Sequence, residues 1–373
     1  MTRAVAYFGT YDPDYARNAV LIAGLREHGV VVHEIQAALP ALDAAGMATA
    51  AGAARVAAGA VAAHARLAVQ HRRHLDVDAV IVGYPGHLVT PFGRLVAAIR
   101  RARLVFDPLV SLADTFSGDR RLVGSASALG RGVALVDRMA FSCADLVLAD
   151  TWEQAAFYMS RFGLGREQLA VVPVGAKPQT GATGVARTLA PGESLVVFQY
   201  GKWSPLHGAS TVLAAAESLR GRGVRFVLAG EGQLSAALRE LIAARRLDNV
   251  EWLGMLSPAA LRARTAAADV CLGAFGESDK ARRVVPTKVH EALACGRPVV
   301  TGDSAAAREL LQDGADALLV RPGDAEALAA ALERLLDPGL RTALGSGGLA
   351  LYRRALTPGA VAGRLLTALE RRP

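Results

Sequence analysis

Short apolar runs alternate with longer segments in which Ala, Leu and Val recur every three or four positions, and the alternation passes through the chain twice. An apolar run of that length, bounded by Gly, Pro or Asp, reads as a strand buried on both faces, and the longer amphipathic segment as the helix that covers it. The first round predicts strands at 3–8, 30–35, 78–83, 104–107, 146–150 and 170–172. The second predicts them at 194–200, 225–230, 250–254, 270–274, 298–301 and 317–320. Strands alternating with helices in this way predict an α/β fold with parallel sheets. Asp324 stands where it would cap a helix whose Leu328, Leu332, Leu335 and Leu336 share one face. Residues 173–192, rich in Gly, Pro and Thr, read as a linker between the two rounds, and a final helical segment at 358–371 has no strand after it.

Length and composition agree with two domains. The chain has 373 residues, 52% of them hydrophobic and 20% charged, which suits a globular protein and excludes a disordered one. The apolar run at the start is too short for a signal-peptide core or a membrane span. Segment 36–71 is dominated by Ala but interrupted by Asp43, Arg55 and His64; it reads as one or two helices on the first sheet, with an acceptor-side or membrane-touching helix as the other reading. Cys143, Cys271 and Cys295 are odd in number and lack metal spacing, so a reducing, cytoplasmic setting is expected.

The net charge of +8 permits anionic partners. Basic clusters at 71–74, 100–103 and 120–121 all lie in the first half, while aromatic residues make up only 5% of the chain, a poor basis for stacking nucleic-acid bases. A basic surface facing a membrane or phosphate, giving a peripheral position at the inner membrane face, fits; plain solvated arginine fits equally.

The chemistry concentrates in the second half. Residues 285–301, Val-Pro-Thr-Lys-Val-His-Glu-Ala-Leu-Ala-Cys-Gly-Arg-Pro-Val-Val-Thr, set Lys288 and Glu291 three apart on a short helix ending at Gly296. Such a helix start offers a positive end to a phosphate, and the carboxylate suits a sugar hydroxyl; taken alone, the pair could also be solvated surface. Only four of the 42 Lys and Arg residues are lysines, and one of the others, Lys202, sits in Val-Phe-Gln-Tyr-Gly-Lys-Trp-Ser-Pro-Leu-His-Gly at 197–208. Between these lie Phe-Val-Leu-Ala-Gly-Glu-Gly at 226–232 and Asn-Val-Glu-Trp-Leu-Gly-Met at 249–255.

In this order the four stretches resemble the nucleotide-sugar-binding elements of GT-B glycosyltransferases, in particular the large retaining family 4, the glycosyl transferases group 1 type. The resemblance implies two Rossmann-like doubly wound domains facing across a cleft: an acceptor-side domain at 1–180, a donor-binding domain at 190–355, and a terminal helix at about 357–373 packing back on the first. It places Lys202 and His207 where the family has an Arg and a Lys on the donor diphosphate. Lys202 keeps the charge, whereas a neutral His207 donates a single hydrogen bond. By the same resemblance Gly254, Met255 and Leu256 border the base, Thr287 and Lys288 open the phosphate-facing helix, and Glu291 accepts the ribose hydroxyls. Arg283 stands where many members have a sugar-binding Glu, so Glu277, Asp279 or backbone at 285–288 would take that role.

In the first half the resemblance assigns Gly9 and Thr10, with Arg17 as polar reach, to the loop nearing donor phosphate. His87 and Asp107, on loops after two further strands, are its candidates beside the donor sugar; for Asp107 a turn-forming residue before Pro108 is an equal reading. Two Asp-x-Asp sequences, at Asp12 and Asp14 and at Asp76 and Asp78, read as a helix start and a strand start rather than a metal site. Phosphate-loop, zinc and Gly-x-Ser-x-Gly patterns are missing from the sequence.

The expectation is therefore a retaining, metal-independent glycosyltransferase without a cofactor. It would move a sugar from a nucleotide-diphosphate sugar to a hydroxyl acceptor in glycan, glycolipid or natural-product biosynthesis, and bind no nucleic acid. A nucleotide-sugar epimerase of the same fold and a non-catalytic donor-binding partner are the alternatives. A two-domain dehydrogenase would need a dinucleotide fingerprint after the first strand, and none is there.

Overall fold

The computed structural model describes residues 2–38, 50–70 and 76–371; the basic cluster at 71–74 and part of 36–71 lie outside them. The chain divides into two compact units. One comprises Met1–Val174 together with Pro358–Pro373, the other Gly175–Thr357.

The first unit carries a six-stranded parallel sheet of β1 (Ala4–Gly9), β2 (Val31–Gln36), β3 (Ala79–Val82), β4 (Arg103–Phe106), β5 (Leu146–Ala149) and β6 (Leu169–Val171), in the order 2-1-3-4-5-6. Helices α1 (Ala16–Glu27), α2 (Ala50–Gln70), α3 (Thr90–Arg100), α4 (Ala128–Cys143) and α5 (Trp152–Phe162) fill the crossovers. Val80, Val82, Leu104, Phe106 and Val147 pack on one side of the sheet against Ala63 and Leu67 of α2, Val96 and Ala97 of α3, Phe141 of α4 and Tyr158 of α5. Val5, Tyr7 and Ile81 point to the other side, towards Val20, Leu21 and Leu25 of α1. The alternation within β1 and β3 is the two-residue period of a strand covered on both faces.

The second unit repeats the architecture with β7 (Leu195–Tyr200), β8 (Val224–Ala229), β9 (Val250–Trp252), β10 (Val270–Leu272), β11 (Val299–Gly302) and β12 (Leu318–Val320), in the order 12-11-10-7-8-9. Its helices are α6 (Ala209–Ser218), α7 (Ser235–Ala244), α8 (Pro258–Ala267), α9 (Asp279–Arg283), α10 (Thr287–Ala294), α11 (Ala305–Leu310), α12 (Ala325–Arg334) and α13 (Pro338–Ala355). Asp324 caps α12, its carboxylate accepting from the Ala327 N–H at 2.8 Å, and Leu328 and Leu332 turn into the core. Counted within the unit, the strand order is that of dinucleotide-binding folds, whereas the first sheet has the flavodoxin order.

Residues 175–193 form no regular element and are held on the second unit: Arg187 grips Asp269 with two hydrogen bonds of 2.7 and 2.8 Å, and the Thr183 carbonyl accepts from Arg297. After α13 the chain re-enters the first unit as α14 (Pro358–Glu370), whose Val361, Ala362 and Leu365 pack with Leu21 and Leu25 of α1. The fit is close at Gly24, where a Cβ would strike the Pro358 carbonyl.

In a doubly wound sheet, neighbouring strands whose crossovers run in opposite directions leave a crevice at their carboxyl ends. That point falls between β1 and β3 in the first sheet and between β7 and β10 in the second.

Candidate functional site

In the second unit the crevice is framed by the loops after β7 and β10 and by the start of α10. Gln199, buried near the end of β7, donates through Nε2 to the Gly273 carbonyl after β10 at 2.9 Å. The turn 205–207 hydrogen-bonds across the same gap: Phe275 N–H donates to His207 O at 3.2 Å, and Gly276 N–H to Leu206 O at 3.1 Å. The two loops thus form one rigid floor.

Over that floor stand the ionisable groups. Gly201 leaves space above its Cα into which Lys288 and His207 reach: a Cβ there would lie 3.1 Å from Lys288 Nζ and nearer still to His207 Nε2. Nδ1 of His207 accepts from the Ser204 N–H at 3.3 Å, which puts the ring proton on Nε2 and makes it a donor towards the space above Gly201. Lys288 is 6% exposed, and its ammonium has no hydrogen-bond acceptor among the described residues. Burial pushes its pKa down to about 7, against the opposing pull of Glu291. The Nζ lies 5.7 Å from the centre of the Tyr200 ring, and the Tyr200 hydroxyl donates to Glu291 Oε2. Burial likewise raises the Glu291 carboxyl above its ordinary value, partly offset by Tyr200, Arg262 and Lys288. An unpartnered buried cation beside a donor imidazole, at the start of a helix, is a ready site for a phosphate group.

Lys202 is exposed and follows Gly201 directly, on a turn anchored by the next residue. Trp203 is fully buried, donates through Nε1 to the Gly230 carbonyl at 2.9 Å and lies against Trp252, ring centres 5.2 Å apart. Gly230, at φ +111°, sits so close to the Gly201 carbonyl that no Cβ fits. Its N–H donates to Gly254 O, tying in the loop where Gly254 holds φ +61° and Met255 is exposed. The structure therefore brings Gly201, Lys202, His207, Gly254, Thr287, Lys288 and Glu291 to one end of one sheet. Tyr200, which orients Glu291, was not among the expected site residues; its position two residues before Lys202 on the same strand end was the available signal.

The first-unit candidates also gather at their crevice, but mostly as buried scaffold. Gly9 has φ +125°, and Thr10, also buried, donates through Oγ1 to the Pro85 carbonyl at 2.8 Å. Arg17 does not reach outward as expected: it is buried, pairs with Asp107 Oδ2 at 2.7 Å and donates to the carbonyls of Val172 and Pro173 at 2.6 and 2.7 Å. Asp107 is thus fully buried as the partner of Arg17, its Oδ1 without a hydrogen bond among the described residues. His87, 2% exposed, packs edge-on against Phe106 and donates through Nε2 to Val110 O at 3.0 Å, and its Nδ1 has no hydrogen-bond partner among the described residues. Burial lowers its pKa, against the opposing pull of Asp137, 3.7 Å from Nε2, and of the Val110 carbonyl.

The two Asp-x-Asp sequences are tied to backbone. Asp78 accepts from the N–H groups of Arg3 and Ala4, and Asp12 from that of Asp14. Among the described residues no group of three His, Cys, Asp or Glu side chains is placed to hold a metal ion.

Residues 194–338, most of the second unit, match the family model of Glycosyl transferases group 1. The chain is 34% identical over 229 residues to a D-inositol 3-phosphate glycosyltransferase of Nocardia farcinica, covering 55% of this chain and 49% of the relative. It is 31% identical over 150 residues to an alpha-D-kanosaminyltransferase of Streptomyces kanamyceticus, covering 39% and 38%. The chain thus spans about half the length of the first of these and less of the second. Among solved structures, Anabaena HepE in complex with UDP and glucose superposes with a TM-score of 0.66 at 17% identity over 100% of both chains. Sucrose-phosphate synthase from Thermosynechococcus elongatus gives 0.68 at 18% identity over 98% of both. At such identities the likeness shows the fold, that of the GT-B glycosyltransferases.

Proposed function

We propose, on the premise of this GT-B fold and of the group 1 match over the second unit, that the protein is a retaining glycosyltransferase that takes a sugar from a nucleotide-diphosphate donor. The observation that carries the reading is the buried Lys288 ammonium, without an acceptor, facing Gly201 beside His207. The diphosphate would lie over Gly201, where Lys288, the Nε2–H of His207, Lys202 and the amides at the start of α10 meet the charge that grows as the glycosidic bond breaks. A dianion arriving next to an ammonium with a pKa near 7 raises that pKa, so binding draws the proton onto Lys288 and fixes it as a full cation. Glu291, oriented by Tyr200, would accept the ribose hydroxyls, and the loop at Gly254 and Met255 would border the base. An acceptor hydroxyl attacking from the face the leaving group departs would retain the anomeric configuration.

The relatives differ in what their names specify, D-inositol 3-phosphate in one and kanosamine in another, so the sugar and the hydroxyl acceptor are open to experiment. UDP, present with HepE, is the first nucleotide to try. A thermal-shift screen of the full chain with UDP, GDP, ADP and TDP sugars should show a rise of about 2.7 kcal/mol in stability at 100 times the dissociation constant. The product anomer is then read by proton NMR. No shift with any nucleotide sugar would sink the donor assignment, and an inverted product the retaining one. Free sugar released as an epimer without acceptor would instead favour the epimerase. Turnover is expected to persist in excess EDTA, since the cations named supply the electrostatic stabilisation; activity restored only by magnesium or manganese would contradict this.

A further inference from the structure

The first unit carries a surface that the proposed chemistry does not use. Helices α3 and α4 pack side by side over β3 and β4. On α3, Val96 and Ala97 face the core while Leu95 and Ile99, one turn apart, face outward, Ile99 at 58% exposure. On α4, Asp137, Ala140 and Phe141 face inward while Leu135 and Met139 face outward, Leu135 at 65%. Both helices therefore show a second apolar stripe on the side away from the sheet, where a surface helix of a globular domain is ordinarily polar.

The charged residues on the two helices are mostly arginine: α3 carries Arg94 and Arg100 and no Asp or Glu, and α4 carries Arg131, Arg138 and one acid, Asp137. Asp137 is fully buried, accepting from the Ser111 hydroxyl at 2.6 Å and the Ala113 N–H at 2.9 Å. Arg131 and Arg138 lie exposed on α4 beside Leu135. Arg94 is the exception, paired with Asp145 at 2.7 Å. Exposed Leu, Ile and Met with the exposed Arg131 and Arg138 beside them, and with Asp145 neutralised by Arg94, match the two needs of a bilayer surface, apolar side chains for the acyl boundary and cations for anionic headgroups. Among the described residues no helix is long and apolar enough to cross a membrane, so contact would be from one side.

We infer that the outer face of α3 and α4 docks on an anionic lipid bilayer. The test is co-sedimentation of the full chain with vesicles of phosphatidylcholine and phosphatidylglycerol, against vesicles of phosphatidylcholine alone. Binding is expected to the anionic vesicles only and to weaken with added salt. Leu95→Glu with Leu135→Glu should lower the partition coefficient roughly tenfold or more, and Arg131→Gln with Arg138→Gln roughly fivefold per arginine. All four side chains are exposed, so melting temperature and nucleotide binding serve as checks that the variants fold, and the salt dependence of the parent protein is informative without them. Absence of binding to the anionic vesicles would overturn the inference, as would undiminished binding by both folded variants. A dimer in light scattering that the same substitutions dissociate, with no vesicle binding, would give the face to a second copy instead.

Discussion

Burying the ammonium of Lys288 costs the folded protein stability in the absence of an anion, and the sign of that cost with pH can be worked out. The folded group titrates near 7 against an ordinary 10.5, so between these values the unfolded chain holds the proton and the folded chain does not. Stability of the nucleotide-free protein should fall as pH drops from about 10.5 to about 7, by up to roughly 5 kcal/mol, and then level off. Lys288→Met, which keeps the bulk and removes the charge, should therefore raise stability at pH 7 and flatten its dependence between pH 7 and 10 in denaturant titrations, while turnover collapses. A variant that is less stable at both pH values would refute the uncompensated cation. Glu291→Ala should weaken nucleotide-sugar binding by about 1.5–3 kcal/mol by calorimetry; parental affinity would remove it from the ribose. That Lys288 and Glu291 share the start of one short helix was legible in the sequence, because the single stretch 285–301 holds them three residues apart. The ion pair of Arg17 with Asp107 was not, since it joins residues 90 apart in the chain, and residue type alone cannot distinguish a charge that meets a ligand from one that meets another charge.

At the level of elements, the loops after β7 and β8 interlock backbone to backbone, and their glycines are not equivalent. At Gly201 a new Cβ would meet the ends of two side chains, His207 and Lys288. Gly201→Ala should thus displace the proposed phosphate ligands, lowering nucleotide affinity about tenfold or more with little change in melting temperature. At Gly230 the Cβ would meet the Gly201 carbonyl, and φ is +111°. Gly230→Ala should therefore destabilise the unit by more than 1–3 kcal/mol, seen as a large drop in melting temperature. Equal melting temperatures for the two variants would contradict the packing described. The strands themselves were legible from apolar runs between Gly and Asp, because a strand buried on both faces tolerates little else. Their order in each sheet was not, since right-handed crossovers permit several orders and only tertiary packing selects one. Segment 175–193 shows the same limit: its Gly, Pro and Thr content reads as a spacer, yet Arg187 and Asp269 hold it to the second unit.

For the whole molecule, two units each with its own core imply two unfolding events. Calorimetry should resolve two transitions, and a bound nucleoside diphosphate should shift chiefly the one belonging to Gly175–Thr357; an equal shift of both would place nucleotide contacts outside that unit. Gly24→Val, aimed at the contact with Pro358, should lower only the other transition, by several degrees. That same contact has a consequence for synthesis on the ribosome. The second unit is one uninterrupted stretch and has every element it needs once α13 has emerged, whereas the first, though translated earlier, waits for α14 to cover Leu21 and Leu25. Chain order and completion order are thus reversed. The nascent first unit should hold an open apolar strip on α1 throughout translation of nearly half the protein, making it the natural client for a chaperone that shields hydrophobic surface until the last helix arrives.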